Sequence, residues 1–203
     1  VSLTAALETA LEEGMVVFFL TAKQSQHSIV IDTLRRMNRN TEIKAVDIIS
    51  SRDLCLSDSG YQECGERNCY FMRGDMEAAI HSIMDRPLHV QESRRVCLRN
   101  GVCPHRTLKT AMRGADVVVC DYNHLFDEKA SLTDSTEKTL EESVVVVDEG
   151  HNLPRRIIGS HSHHLDVGIL RRALNTPSLG PFKEDIQILL EILASLLKEA
   201  DPT

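Results

Sequence analysis

Tryptophan is absent from this sequence of 203 residues, yet 42% of its positions are hydrophobic and 26% are charged. That is the composition of an ordinary globular chain, long enough for one or two compact domains with a real core. No apolar run approaches the ~18–20 residues that a membrane-crossing helix needs. The opening VSLTAALETALEEG lacks the basic start and apolar centre of a signal peptide. These absences point to an intracellular protein without a membrane partner. There, thiols stay reduced, and six cysteines read as ligands or core residues rather than disulfides. Positive charge is also short: 23 Lys and Arg against 30 Asp and Glu give a net charge of −7. Such a balance argues against a protein that grips nucleic acid over its whole surface. Missing, finally, is the phosphate-cradling loop G-x-x-x-x-G-K-[ST]. Only Gly60 and Gly65 have its spacing, and Glu66-Arg67 follow them.

What is present is unevenly placed. Residues 94–113, RRVCLRNGVCPHRTLKTAMR, carry six Lys and Arg and no acid, whereas 127–149 is mostly acidic. A local basic stripe of this kind suffices to hold a phosphate backbone, though a solvated helix face has the same composition. Apolar periodicity predicts a helix over 2–13, with Leu3, Leu7 and Leu11 on one stripe and Gly14 as terminator. It predicts strands at 15–22 and 42–50 with a helix over 24–39 between them. This alternation indicates an α/β fold with a parallel sheet and crossover helices. From 51 to about 106 the pattern breaks into polar, loop-heavy chain with one short helix over 75–84. Too polar to fill a core, that stretch needs a cross-link to stay folded. Helix 104–114, a VVVC strand and the strand SVVVV follow. The two helical stretches 166–175 and 184–200 come last, and the second has too wide an apolar face to stand alone in water.

Two groups of residues carry chemistry. Four valines run into Asp148-Glu149, which reads as an interior parallel strand ending in two carboxylates. Ligands bind at that end of open α/β sheets. Two readings are open there: Asp148 as a plain helix cap, or the pair as a Walker B motif, one acid on Mg²⁺ and the next polarising water. The second group is cysteine. Cys120 lies inside the apolar strand and reads as core. Cys55, Cys64, Cys69, Cys97 and Cys103 lie in the loop-heavy stretch. Their spacing lacks a second tight pair of the zinc kind, so an iron–sulfur cluster, zinc and free thiols all remain open, with Cys97 a rival to Cys103. HSHH at 161–164 reads as solvated surface rather than a metal site.

In one order the chain contains FFLTAKQSQ (18–26), SSRDLC (50–55), CGERNCYF (64–71), GVCP (101–104), ADVVVCDYNHLFD (115–127) and VVVVDEGHN (144–152). This series resembles the iron–sulfur DNA helicases of superfamily 2, the XPD or DEAD_2 family. The resemblance implies a RecA-like parallel sheet, here partial, interrupted by a small iron–sulfur insertion and followed by the start of a helical Arch. The implied divisions are 1–50 and 107–152 for the first motor domain, 51–106 for the cluster domain and 153–203 for the Arch. It implies a [4Fe–4S] cluster on Cys55, Cys64, Cys69 and Cys103, with Cys97 outside the set. Asp148 is expected to hold Mg²⁺ beside ATP, Glu149 to activate the attacking water, and His151 to couple nucleotide state to a second motor domain. Gly150 stands where the family has Ala. Thr21, Ser25 and Gln26 match a T-x-T-H-S-Q-like motif on the DNA backbone, from which Lys23 and Gln24 depart. Arg52 matches a basic residue beside the cluster, and Tyr122 and Asn123 a strand-end motif near the DNA.

The resemblance thus implies part of an ATP-dependent helicase that moves 5′→3′ on single-stranded DNA and unwinds duplexes in repair. Its partners are single-stranded DNA, the second motor domain and the rest of the Arch. Without a phosphate-binding loop, these residues alone are not expected to hydrolyse ATP. The competing expectation is a zinc-stapled, non-enzymatic interaction module, with DEGHN a mere strand end.

Overall fold

Valine, isoleucine, leucine and phenylalanine alternate between two faces of one sheet, and that alternation organises the larger unit of the molecule. The computed structural model describes residues 2–56, 69, 71, 74–126, 135–162 and 165–200. Residues 1–160 form one compact unit and 161–203 a second.

The first helix, α1 (Ser2–Glu13), buries Leu3, Leu7 and Ala10, while Leu11 is partly exposed. A period of 3.6 brings Ala10 rather than Leu11 onto the inward stripe. Gly14 ends it at φ 66°, and the Met15 N–H donates to the Ala10 carbonyl at 2.7 Å, the Schellman arrangement that only a residue at ease with positive φ closes cheaply. Then β1 (Val16–Thr21) is buried along its whole length. Helix α2 (Gln24–Met37) follows, and β2 is only Ala45–Asp47, shorter than the apolar pattern over 42–50 predicts.

Residues 51–106 depart most from expectation. They contain α3 (Ser51–Leu54), α4 (Met76–Met84), α5 (Val90–Arg99) and the start of α6 (Pro104–Ala111). The basic run hides α5, whose sequence VQESRRVCLR is polar on average. Its Val90, Ser93, Val96 and Cys97 fall at helical spacing and are buried. Nor is this stretch poor in core. Leu54, Ala79, Ile83, Leu88, Val90, Val96, Cys97 and Val102 share one apolar cluster with Val16, Phe18, Leu20, Val46, Val118 and Cys120 of the sheet. It folds onto one sheet face, so its apolar residues are sparse in sequence but sufficient in space. Gly74 lies so close to the Asn100 and Gly101 carbonyls that no side chain fits there, which seats Gly74 against the α5–α6 turn.

After α6 come β3 (Val117–Asp121), the one-turn α7 (Asn123–Phe126), β4 (Ser143–Val147) and α8 (Leu153–His161). The sheet is parallel, ordered β2-β3-β1-β4. Its second face carries α1 and α2, through Leu3, Leu7, Val30, Ile31 and Leu34 against Val17, Phe19, Val117 and Val119. Helices therefore cover both faces, the layered plan that parallel strands require. The valine strand is not interior as its composition suggests. Among the described residues β4 pairs with β1 alone, and Val145 is 38% exposed.

A buried ion pair ties the helices to the sheet. His27 Nδ1 lies 2.5 Å from Asp47 Oδ1, both side chains fully buried, and Asp47 Oδ2 accepts the Val90 N–H at 2.8 Å. Asp47 thereby caps α5 from β2. Arg35 extends the link: it pairs with Glu92 and donates to the Pro87 carbonyl at 2.9 Å.

The second unit contains α9 (Val167–Leu174), a 3₁₀ turn at Pro177–Phe182 and α10 (Lys183–Ala200). Leu170 and Ile186 are buried, whereas Ile188, Leu189, Ile192, Leu196 and Leu197 are about half exposed. No helix among the described residues is long and apolar enough to cross a membrane.

Candidate functional site

Parallel strands end in step at one edge of the sheet, and the sequence places polar groups there. The register pairs Leu20 with Cys120 and with Val147, and Thr21 with Asp121. The Asp148 N–H donates to the Leu20 carbonyl at 2.8 Å. Thr21, Asp121 and Asp148 therefore share one level at the carboxyl ends of the three strands.

The acid pair leaves the sheet abruptly. Glu149 has φ 52° and ψ 42°, the only non-glycine residue with positive φ among those described. That conformation costs an L-residue about 1–2 kcal/mol. Backbone groups offset the cost: the Glu149 carbonyl accepts from the Asn152 N–H at 2.9 Å, from Asn152 Nδ2 at 3.3 Å and from the Tyr122 hydroxyl at 3.1 Å. The same hydroxyl donates to the Asp148 carbonyl. Asp148 is not a helix cap, because a 3₁₀ turn (Gly150–Asn152) separates it from α8. Its carboxylate takes no hydrogen bond or ion pair within the described residues, which leaves a hard, half-buried oxygen ligand that fits Mg²⁺. Glu149 Oε2 meets His151 Nδ1 at 3.3 Å, both well exposed, a contact worth little in stability. Gly150 is not required by space, since an added Cβ meets only Val147 Cγ1 at 3.8 Å.

Beside the pair, a cavity of about 290 Å³ is lined by Thr21, Ala22, Lys23, Gln24, Asp121, Tyr122, Asn123 and Arg156. Thr21 is fully buried, its hydroxyl donating to the Lys23 carbonyl at 3.2 Å to shape the turn into α2. Gln26 reaches back to the Lys23 N–H at 3.1 Å, and Ser25 is exposed in the first turn. Gln24 donates to Asp53 at 3.3 Å, which joins α2 to α3 and its exposed Arg52. Asn123 is exposed and Tyr122 is buried, at 2%. Burial, and then the Asp148 and Glu149 charges, raise the Tyr122 phenol. Sequence reasoning missed Asp121, His124 and Arg156. Burial alone would raise the Asp121 carboxyl, but the hydrogen bond and charge of His124, 3.2 Å away, together with the Asn123 N–H, hold it low. The i, i+3 spacing of Asp121 and His124 was the available signal.

Of the cysteines expected to bind a cluster, Cys55, Cys69 and Cys103 are half-buried free thiols, and Cys64 lies outside the described residues. Cys55 follows the end of α3, and Cys103 stands at the N-cap position of α6. Arg94 donates to the Cys55 carbonyl at 3.2 Å, while its buried Nε finds no acceptor. That orphaned N–H suits an anionic partner, while among the described residues no three Cys, His or acidic side chains are grouped as a metal site. Cys97 is fully buried, and burial pushes its thiol up to about 11. Cys120 is likewise core.

An open parallel sheet with helices on both faces and an acid pair at its carboxyl edge defines an α/β domain of the kind that binds ligands at the strand ends. The family profile of DEAD_2 matches residues 19–170, and the chain belongs to that family. It is 24% identical over 169 residues to "ATP-dependent DNA helicase chl1" of Schizosaccharomyces pombe, covering 72% of this chain and 19% of that protein. It is 26% identical over 147 residues to "Regulator of telomere elongation helicase 1 homolog" of Drosophila grimshawi, covering 64% and 15%. Against "Fanconi anemia group J protein homolog" of Gallus gallus, identity reaches 41% over 51 residues, 25% of this chain and 4% of that one. The chain thus spans less than a fifth of the length of these relatives. Its fold matches that of a solved "Truncated XPD", with TM-score 0.58 at 17% identity over 87% of this chain and 52% of the other.

Proposed function

We propose that this chain supplies the acid-pair half of the first motor domain of an ATP-dependent DNA helicase. The observation that carries the reading is the convergence of Asp148-Glu149 with the ends of β1 and β3 at one edge, beside a polar cavity. Its curated relatives bear names of DNA helicases. Residues 1–50 and 107–152 form the motor part, 51–106 the cluster insertion and 153–203 the Arch.

In this reading Asp148 holds Mg²⁺, whose charge, when bound, neutralises nucleotide phosphates. Glu149 accepts the proton of the attacking water at its carboxylate, and His151, in contact with that carboxylate, relays nucleotide state to a second motor domain. The sequence contains no G-x-x-x-x-G-K-[ST] loop, and in this reading hydrolysis requires one. Single-stranded DNA runs past Ser25, Gln26, Arg52 and Asn123, with Thr21 and Tyr122 shaping its floor, and movement is 5′→3′. Cys55, Cys64, Cys69 and Cys103 would hold a [4Fe–4S] cluster, with Arg94 bound to the Cys55 carbonyl. That cluster cross-links the insertion.

The test is Glu149→Gln in the full-length helicase. Loss of a catalytic base costs about 10²–10⁴-fold in turnover while leaving ATP affinity in place. Steady-state ATP hydrolysis with and without single-stranded DNA reads this. Wild-type turnover in the variant refutes the proposal.

A further inference from the structure

Tyr122 lies at the head of β3, which is not a neighbour of β4; β1 stands between them. Its ring is 2% exposed and belongs to the apolar cluster beneath the sheet, so β3 and the core set its position. Its hydroxyl nevertheless crosses the end of β1 to the carbonyls of Asp148 and Glu149. Glu149 is where the backbone takes its strained left-handed turn. The other donors to the Glu149 carbonyl, the N–H and Nδ2 of Asn152, come from the same short turn and cannot anchor it to the sheet. Among the described residues the Glu149 carboxylate meets the exposed His151 alone.

We propose that Tyr122 is a positioning residue for the acid pair: its hydroxyl pins the left-handed turn to β3 and so aims the Glu149 carboxylate. This rests on the reading of Glu149 as the base that activates water. A reactive group must be held within a fraction of an ångström, and backbone direction at Glu149 sets where its carboxylate lies. The same residue forms part of the wall of the cavity lined by Lys23, Asn123 and Arg156. A strand of nucleic acid in that cavity therefore touches the element that holds the acid pair.

The experiment compares Tyr122→Phe, Asn152→Ala, Glu149→Gln and the double variant Y122F/E149Q in the full-length helicase. Removing the hydroxyl is expected to lower kcat for ATP on the order of tenfold, below the ~100-fold that a 1 Å misplacement can cause. KM for ATP and the Kd for single-stranded DNA stay within about twofold. Y122F adds no further loss to E149Q, because groups that act as a unit are not additive. Asn152→Ala gives a smaller loss of the same kind. Wild-type kcat in Y122F, with E149Q inactive, overturns the inference and leaves the function standing. Weakened DNA binding at unchanged kcat also overturns it, making Tyr122 a DNA contact instead. Wild-type turnover in E149Q sinks the underlying reading. If Y122F melts early, kcat is read well below its melting temperature, and wild-type turnover there is fatal.

Discussion

Glu149 pays for its backbone conformation with hydrogen bonds to its carbonyl, and its neighbours make that residue-scale compromise possible. Elsewhere single residues hold the molecule by burial. Asp47 accepts from His27 and from the Val90 N–H, with no exposure to water. Removing one partner strands the other in a dry interior. Asp47→Ala is therefore expected to cost about 3–5 kcal/mol, read from the urea midpoint. A change below about 1 kcal/mol would mean that water reaches His27.

Cys97 offers a residue-scale test with a pH arm. Its folded thiol keeps its proton to about pH 11, against an ordinary value of 9.0. Above pH 9 unfolding releases a proton, so the stability this thiol contributes is present below pH 9 and declines as pH rises toward 11. At pH 8, in metal-free protein, iodoacetamide is expected to alkylate Cys55 and Cys103 well before Cys97 and Cys120. Mass spectrometry of timed quenches would show it, and early labelling of Cys97 would contradict its burial.

At the scale of elements, β3 and β4 are both runs of valine, yet they occupy opposite situations. Val118 is fully buried between two partner strands, whereas Val145 lies on a strand paired along one edge and is 38% exposed. Val118→Thr buries a hydroxyl and is expected to cost roughly 1–3 kcal/mol. Val145→Thr stays within about 0.5 kcal/mol. Equal costs, measured by thermal unfolding, would mean that something covers the outer edge of β4 in solution. Helix α5 makes a related point, since a polar sequence forms a helix because four of its residues face a core supplied by other elements.

For the whole molecule, the described part of residues 51–106 shares one apolar cluster with the sheet, so Cys55 and Cys103 border a packed base. Under the proposed function, a bound cluster would complete this layer instead of folding it alone. Protein purified without oxygen is expected to carry close to four iron and four sulfide per chain. The content falls on Cys103→Ser and not on Cys97→Ser. Iron, acid-labile sulfide and zinc, assayed together, decide this, and stoichiometric zinc without sulfide would restore the interaction module.

The α/β class, the parallel strands and the family motifs were legible in the sequence. These depend on local periodicity and on short ordered signatures, which survive without knowledge of contacts. Cys120 as core was legible for the same reason, since it sits within an apolar strand. Tertiary structure alone decided that the valine run is an edge strand, that Ala10 rather than Leu11 turns inward, and that 90–99 is a helix. It alone removed Cys97 from solvent and brought the Tyr122 hydroxyl across β1 to the acid pair. Each of these depends on which surfaces meet across long sequence separations. Composition tells how much apolar surface a segment has; only packing tells which neighbour covers it.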